Sequence, residues 1–330
     1  MRIDSSAPTR IDLAGGTYDI WPLYLFHDRA QTINAAISLR ARCTLTSRRD
    51  YHVRLVSEDT GETVEAADPA ALPVDRLPLV ARLVRHFGAR GVDVHTSADS
   101  PVGAGIAGSS AMNIALTGAL AAWTGRPMSD DEILATAMNI EAQVIGVPTG
   151  AQDYRPAFYG GISAIELGVG GVRRVALDAD ARELQRRLVL AYTGASRNSG
   201  INNWDVMVRR INGDQGVIDA FEAIRQAAAS MRDALEAGDW PAVGTLMGTE
   251  WQARKRLAPG VTTPEIDQLL DRARFAGALA GKVCGAGGGG CLVCVVDPAR
   301  KSEVEASLSA GGARVLPFGL EKEGLVVGKG

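Results

Sequence analysis

A chain of 330 residues is long enough for two domains that each bury a core without disulfide or metal support. Hydrophobic residues make up 46% and charged residues 22%, the balance of a folded enzyme and not of a disordered or fibrous chain. The net charge of −3 comes without any long run of Lys or Arg, which argues against nucleic acid and membrane as partners. Any phosphorylated ligand must then be met by backbone N–H groups, a helix N-terminus, a few cations and a metal ion.

The start, Met-Arg-Ile-Asp-Ser-Ser, lacks the apolar core of a signal peptide. No apolar stretch approaches the roughly 20 residues that span a bilayer, so a cytoplasmic location is expected. Cysteine usage agrees, because Cys284, Cys291 and Cys294 fall in one short β-like stretch and Cys43 stands apart. Cys291-x-x-Cys294 has a redox or zinc spacing but no second ligand pair, so buried strand cysteines are expected.

In chain order, Ala30–Leu39, Cys43–Ser47 and His52–Val56 read as strands from their β-branched or alternating apolar residues. A helix over Arg76–Phe87 and a strand over Val92–Thr96 follow. The loop Ser97–Gly108 then leads into an Ala-rich helix, Ser109 to about Trp123. Ser129-Asp-Asp-Glu132 is a capping box that opens a helix running to Ile145, where Gly146 and Pro148 stop it. Strands are expected at Ile162–Leu167, Val172–Leu177 and Leu188–Thr193, with a domain boundary near 178–187. Beyond it, Val217, Phe221, Ile224, Ala228, Met231 and Leu235 recur at helical spacing and define a long amphipathic helix. Strands and helices segregate more than they alternate, which favours α+β layers over one doubly wound sheet.

Two glycine clusters stand out. Pro101-Val-Gly-Ala-Gly-Ile-Ala-Gly-Ser-Ser-Ala111 contains Gly103-x-Gly105-x-x-Gly108, but Asp99-Ser-Pro101 separates it from its strand, and a helix occupies the place where a dinucleotide site needs an acidic residue. What remains is flexible backbone running into a helix that starts with two hydroxyls, an arrangement that aims N–H groups and a helix dipole at an anion. The second cluster, Gly285–Gly290, is too long for an ordinary turn and is expected to pack its bare backbone against another loop, the first glycine loop being the simplest choice.

Two carboxylates also stand out. Glu141 lies in the apolar row Leu134, Met138, Glu141, Ile145, where it is either a paired buried acid or a margin residue bending to solvent. Asp153 follows the breaker Gly146-Val-Pro-Thr-Gly150, where it is either a placed loop carboxylate or a helix N-cap.

Ala7-Pro-Thr-Arg-Ile-Asp-Leu-Ala-Gly-Gly-Thr-Tyr-Asp19, Pro101–Ala111 and Lys282–Cys291 together resemble, in order and separation, the three motifs of the GHMP small-molecule kinases. The resemblance runs over nearly the whole chain. It implies an α+β, two-domain fold, with a ribosomal protein S5 domain 2-like domain over 1–182 and a ferredoxin-like domain over 183–330. It implies ATP held by Pro101, Gly103, Ala104, Gly105, Ile106, Ala107, Gly108, Ser109 and Ser110. Mg²⁺ would be held by Glu141 with Ser110 or Ser109. Asp153 would face the acceptor hydroxyl with Arg10 beside it, and Asp19, Gly16, Thr17 and Gly287 would join Asp153 at the sugar.

Within the family, the gap from Glu141 to Asp153 matches the sugar-kinase branch. Tyr192-Thr-Gly-Ala-Ser-Arg197, Trp251 with Lys255-Arg256, and Pro264-Glu-Ile-Asp267 look like heptose 7-phosphate kinases. Gly16, Thr17 and Tyr18 stand where galactokinases carry Glu-His-Thr, and Thr17-Tyr18 replaces the usual Gly-Thr before Asp19. The implied reaction is phosphoryl transfer from Mg·ATP to the hydroxyl of a sugar or sugar phosphate; a homodimer is compatible with the resemblance.

Overall fold

The computed structural model describes residues 1–195 and 199–330, with backbone only over 199–202. Ser196 and Arg197 of the Tyr192–Arg197 segment therefore lie outside the described residues.

The first sheet is built on two long strands, β1 (Arg2–Ala14) and β2 (Ala30–Ser47), paired antiparallel along most of their length. β1 escaped the sequence reading, and β2 replaces two expected strands with one. Pro8 has no N–H to give the ladder, and the register shifts between Pro8 and Thr9 without breaking the pairing. β2 then serves two partners: its first half pairs with β6 (Ile162–Gly168), which carries β7 (Gly171–Ala176), and its second half pairs with β5 (Val92–Ala98). β3 (Val53–Ser57) lies parallel to β5, and β4 (Glu62–Ala66) closes that edge.

Helices α1 (Pro78–Phe87), α2 (Gly108–Thr124) and α3 (Asp130–Ile145) cover one side of this sheet. α2 is buried from Ser110 to Ala121, as its Ala-rich, nearly uncharged sequence requires. α3 opens on the expected capping box, Ser129 with Glu132. Ile145 does not share the buried row as expected: it is 45% exposed, because the helix has run past the edge of the core when Gly146 caps it. A short helix, α4 (Tyr154–Tyr159), leads back into β6.

After α5 (Ala181–Arg187), the second sheet forms from β8 (Leu188–Tyr192), β9 (Ala278–Val283), β10 (Cys291–Val296) and β11 (Arg314–Val315), in the antiparallel order β11-β8-β10-β9. β10 is buried at every residue, which explains its unbroken apolar sequence. The helices of this half are α6 (Ser199–Ile211), α7 (Gln215–Ala237), α8 (Trp240–Lys255), α9 (Pro264–Phe275) and α10 (Lys301–Ala310). α7 packs on β1 and β2 and α8 on β9, so this pair bridges the two sheets. Ile11, Leu13 and Ile33 of the first half share one apolar cluster with Leu190, Met231, Leu235 and Val293 of the second.

The last residues return to the beginning. Glu321 N bonds Ala36 O, Leu325 N bonds Phe158 O, and β12 (Val326–Lys329) pairs with β1, covering an edge of the first sheet. All four cysteines are buried. Among the described residues, no helix is long and apolar enough to cross a membrane.

Candidate active site

Arg10 is the joint of the site. It lies near the end of β1, on the strand face opposite Ile11, and is fully buried. Its backbone N–H bonds Ile106 O at 3.0 Å and its Nη1 donates to Gly105 O at 3.1 Å, so the first glycine loop is tied to β1 twice. Nε and Nη2 donate to Asp153 Oδ1 at 3.0 and 2.5 Å. Asp153 stands at the start of α4 but makes no capping hydrogen bond, so the N-cap reading fails. Its side chain, 25% exposed, is aimed by Arg10, its one partner among the described residues.

The loop itself is held open by backbone that few side chains adopt. Gly103, Gly105 and Ala107 have φ of 70°, 73° and 62°, and Ala107 is the N-cap of α2. Alanine offers no capping oxygen, and the first turn of α2 contains no acid, so its N–H groups are left for an outside acceptor. The second glycine run meets this loop as expected: Cys291 N donates to Ala104 O at 2.7 Å, and a Cβ on Gly290 would lie 2.6 Å from that same oxygen.

Glu141 is buried, so the reading of a margin residue bending to solvent also fails. Its Oε2 accepts from Ser110 Oγ at 3.0 Å and Tyr154 O–H at 2.8 Å. Burial pushes this carboxyl above its ordinary value, while Tyr154, Ser109 and Ser110 pull it back. A buried carboxylate with hydroxyls around it is a hard-oxygen donor set that a divalent cation would satisfy. Among the described residues no group of three or more His, Cys, Asp or Glu side chains is placed to hold a metal. A single carboxylate beside the Ser110 hydroxyl is a set that Mg²⁺ can use, since it takes one or two carboxylates and completes its shell with phosphate and water.

A cavity opens beside Arg10, Glu141 and Asp153, while none of the expected phosphate-loop residues Pro101–Ser110 is among its lining. Arg10, Thr17, Asp19, Glu141, Gln152, Asp153, Asn203 and Gly285 are among its lining residues. Asp19 is almost wholly buried and accepts from Gln152 N at 2.7 Å. Burial first, and the nearby Asp153 second, raise its pKa to about 7. Gly16 and Gly287 do not line the cavity: a Cβ on Gly16 would strike Asp12 and Arg254, and one on Gly287 would strike Val261 O. Close packing, not a pocket face, explains both glycines. Trp251, Lys255 and Arg256 do not line it either; Trp251 is core, and Lys255 Nζ stands 3.8 Å from Asp267.

Beneath the cavity lies a cluster that the sequence reading missed. Asp12, Glu250, Arg254 and Lys282 are each fully buried. Arg254 Nε donates to Glu250 Oε1 at 2.9 Å, and Arg254 Nη2 lies 3.1 Å from Asp12 Oδ2. Lys282 Nζ reaches Glu250 at 3.0 Å and Asp12 at 3.3 Å, and Arg254 Nη1 donates to Gly285 O at 2.7 Å. The four groups tie β1, α8, β9 and the second glycine run together. The available signal was the i, i+4 pair Glu250–Arg254 on a helix whose buried stripe includes Val243, Met247 and Trp251.

The comparisons agree with this geometry. Residues 76–161 match the family model of the GHMP kinases N terminal domain and 231–314 that of the GHMP kinases C terminal. The chain is 31% identical to the D-glycero-alpha-D-manno-heptose 7-phosphate kinase of Campylobacter jejuni, over 98% of both chains. It is 26% identical to the mevalonate kinase of Thermococcus gammatolerans, again over 98% of both. Among solved structures, a D-glycero-D-manno-heptose 1-phosphate kinase from Bacteroides thetaiotaomicron superposes with a TM-score of 0.81 at 28% identity, over 99% of both chains. With its two-layered α+β halves and the loop, carboxylates and joint just described, this chain belongs to the GHMP kinases and is a phosphotransferase with an alcohol group as acceptor.

Proposed function

We propose that the chain transfers the γ-phosphoryl group of ATP to a sugar hydroxyl, the anomeric hydroxyl of a heptose 7-phosphate or a related sugar. The observation that carries this reading is the Arg10 joint, which binds Gly105 of the phosphate-facing loop and Asp153 with one guanidinium. Donor and acceptor ends are thereby held in one rigid relation, and phosphoryl transfer depends on such positioning more than on covalent chemistry.

In this reading the loop N–H groups of Gly103–Ser110 and the N-terminus of α2 meet the phosphate oxygens. Ser110 and Glu141 would hold Mg²⁺, which supplies charge neutralisation to the phosphates when bound. Asp153 orients the acceptor hydroxyl and receives its proton at Oδ2, the oxygen to which Arg10 does not donate. Asp19 accepts from a further hydroxyl of the sugar.

One observation favours an unphosphorylated sugar as the second reading. Among the described lining residues the only cation is Arg10, already engaged by Asp153, whereas Asp19, Glu141 and Asp153 are all acidic. A substrate phosphate would need a cation from elsewhere. ATP consumption across a panel of heptoses, hexoses, deoxyhexoses, uronic acids and their phosphates, with product NMR, decides between the two. Consumption no faster than the sugar-free background with every member would sink both.

A further inference from the structure

A second cleft, of about 480 Å³, lies between the start of β2, the β6–β7 hairpin and α7, and among the described residues it shares no lining residue with the cavity at Arg10. Its volume is within the range of small-molecule sites. Its charge is the reverse of that cavity's, because Arg29, Arg173 and Arg232 line it with a single acid, Glu166. Arg173 Nη2 and Arg232 Nη1 both reach that carboxylate, at 2.5 and 2.9 Å. Arg232 also has Glu236 at 3.9 Å, whereas Arg29 has no ion pair among the described residues.

Strand register builds one wall. Gln31 of β2 stands opposite Glu166 of β6, and Glu166 opposite Arg173 of β7, so the three side chains lie in line on one face of the sheet. Arg232 meets the same carboxylate from α7, which makes this the face toward α7. Gln31 is 8% exposed and lines the cleft, and its Oε1 has no hydrogen-bond partner among the described residues. A buried acceptor left unpaired is costly unless a ligand donates to it.

The backbone adds two further signs. Arg29 has φ 55°, where glycine is the default residue, so its charge is kept at the cleft against local strain. Gly168 and Gly170 line the cleft as well, yet neither has φ in the left-handed region and a Cβ on either would meet nothing within 4 Å. Neither conformation nor packing calls for glycine at these two positions. Their effect is bare backbone at the cleft, which a ligand can approach closely.

We propose that this cleft is a second ligand site, separate from the site of phosphoryl transfer, for a phosphate monoester that also carries hydroxyl groups. Arg29 and Arg173 meet the phosphate, and the bare hairpin lets it come near. A hydroxyl of the ligand donates to Gln31 Oε1, while Glu166 holds Arg173 and Arg232 in place. The assignment does not depend on which acceptor is phosphorylated beside Asp153.

Calorimetric titration with glucose 6-phosphate, ribose 5-phosphate, inorganic phosphate and glucose tests it, on the wild type and on Arg29→Gly, Arg173→Gln and Gln31→Leu. Glycine suits φ 55°, so Arg29→Gly is expected to fold, with Tm as the check. Both esters should bind the wild type and glucose should not. Each arginine variant is expected to weaken the esters and inorganic phosphate about 10-fold or more, the worth of one charge-assisted hydrogen bond. Gln31→Leu should weaken the esters about 3- to 10-fold, leave inorganic phosphate unchanged and not lower Tm, since it removes an unpaired polar atom. Esters held instead by the glycine loop or the acceptor cavity would bind all three variants as they bind the wild type. Equal ester affinity in wild type and folded Arg29→Gly, or no saturable binding of either ester to the wild type, overturns the assignment and leaves the kinase reading standing.

Discussion

Two charged clusters stand side by side in this molecule and behave in opposite ways. Asp12, Glu250, Arg254 and Lys282 form a closed set of two anions and two cations, all fully buried. Burial alone would push Asp12 up, but Lys282, Arg254 and Arg10 outweigh it and hold the carboxyl below its ordinary value. In the cavity, Arg10 is the one cation among the described lining residues and it pairs with Asp153, so for the other two acids burial wins: Asp19 rises to about 7 and Glu141 also rises. A balanced cluster braces the fold, whereas surplus negative charge is an arrangement that an added cation would neutralise.

The largest effect that separates them is expected from Asp153→Asn, which keeps shape but removes the charge and the proton acceptor. On the scale of general-base contributions, kcat should fall about 10² to 10⁴ fold with little change in Tm or ATP KM. A folded variant retaining more than about a tenth of wild-type kcat would remove Asp153 from the chemistry.

On the brace side, Arg254→Met leaves Asp12 and Glu250 sharing Lys282 alone in a buried site. A loss of about 3 to 5 kcal/mol is expected, seen as a Tm lower by about 10 °C. Denaturant unfolding with an unchanged midpoint would show that the four charges do not brace the two halves.

Glu141→Gln sharpens the contrast, because it neutralises a carboxyl that has surplus negative charge around it. Turnover is expected to drop and to lose its dependence on Mg²⁺ concentration, while stability in metal-free buffer stays equal or rises. A clear fall in Tm without metal, with turnover near wild type, points instead to a structural role like that of Glu250.

The smallest effect is thermal and pH-dependent. Asp19 has a folded pKa of about 7 against an ordinary 3.8, so the folded state holds its proton more tightly. The penalty for its charge is absent below the unfolded value, grows as pH rises between the two, and is complete above about 7. Asp153 adds to the penalty and Arg10 subtracts from it. Asp19→Asn, whose side-chain oxygen can still accept from Gln152 N, is expected to exceed wild type in Tm at alkaline pH by a margin that vanishes on acidification. A margin independent of pH would contradict the burial of an ionised Asp19.

Much of this was legible along the chain wherever a signal is local. The capping box at Ser129–Glu132, the amphipathic α7 and the α2 start after the glycine loop follow from i to i+4 rules and are found in place. The β1 strand was not read, because Arg10 and Asp12 interrupt its apolar pattern with charges whose partners lie in distant elements. The same long range hid β12, whose four residues are a strand only because β1 has an open edge for them.

The sequence by itself determined the parts: a glycine loop running into a helix N-terminus, two carboxylates at a set separation, and three motifs in family order. Each depends on residue type and short spacing. Only the tertiary structure decided which alternatives hold, since burial and pairing are properties of the assembled chain. It turned Asp153 from a cap into the partner of Arg10, made Glu141 an interior acid, moved Gly16 and Gly287 from the cavity wall into close packing, and brought Asp12 and Lys282 together across 270 residues of chain.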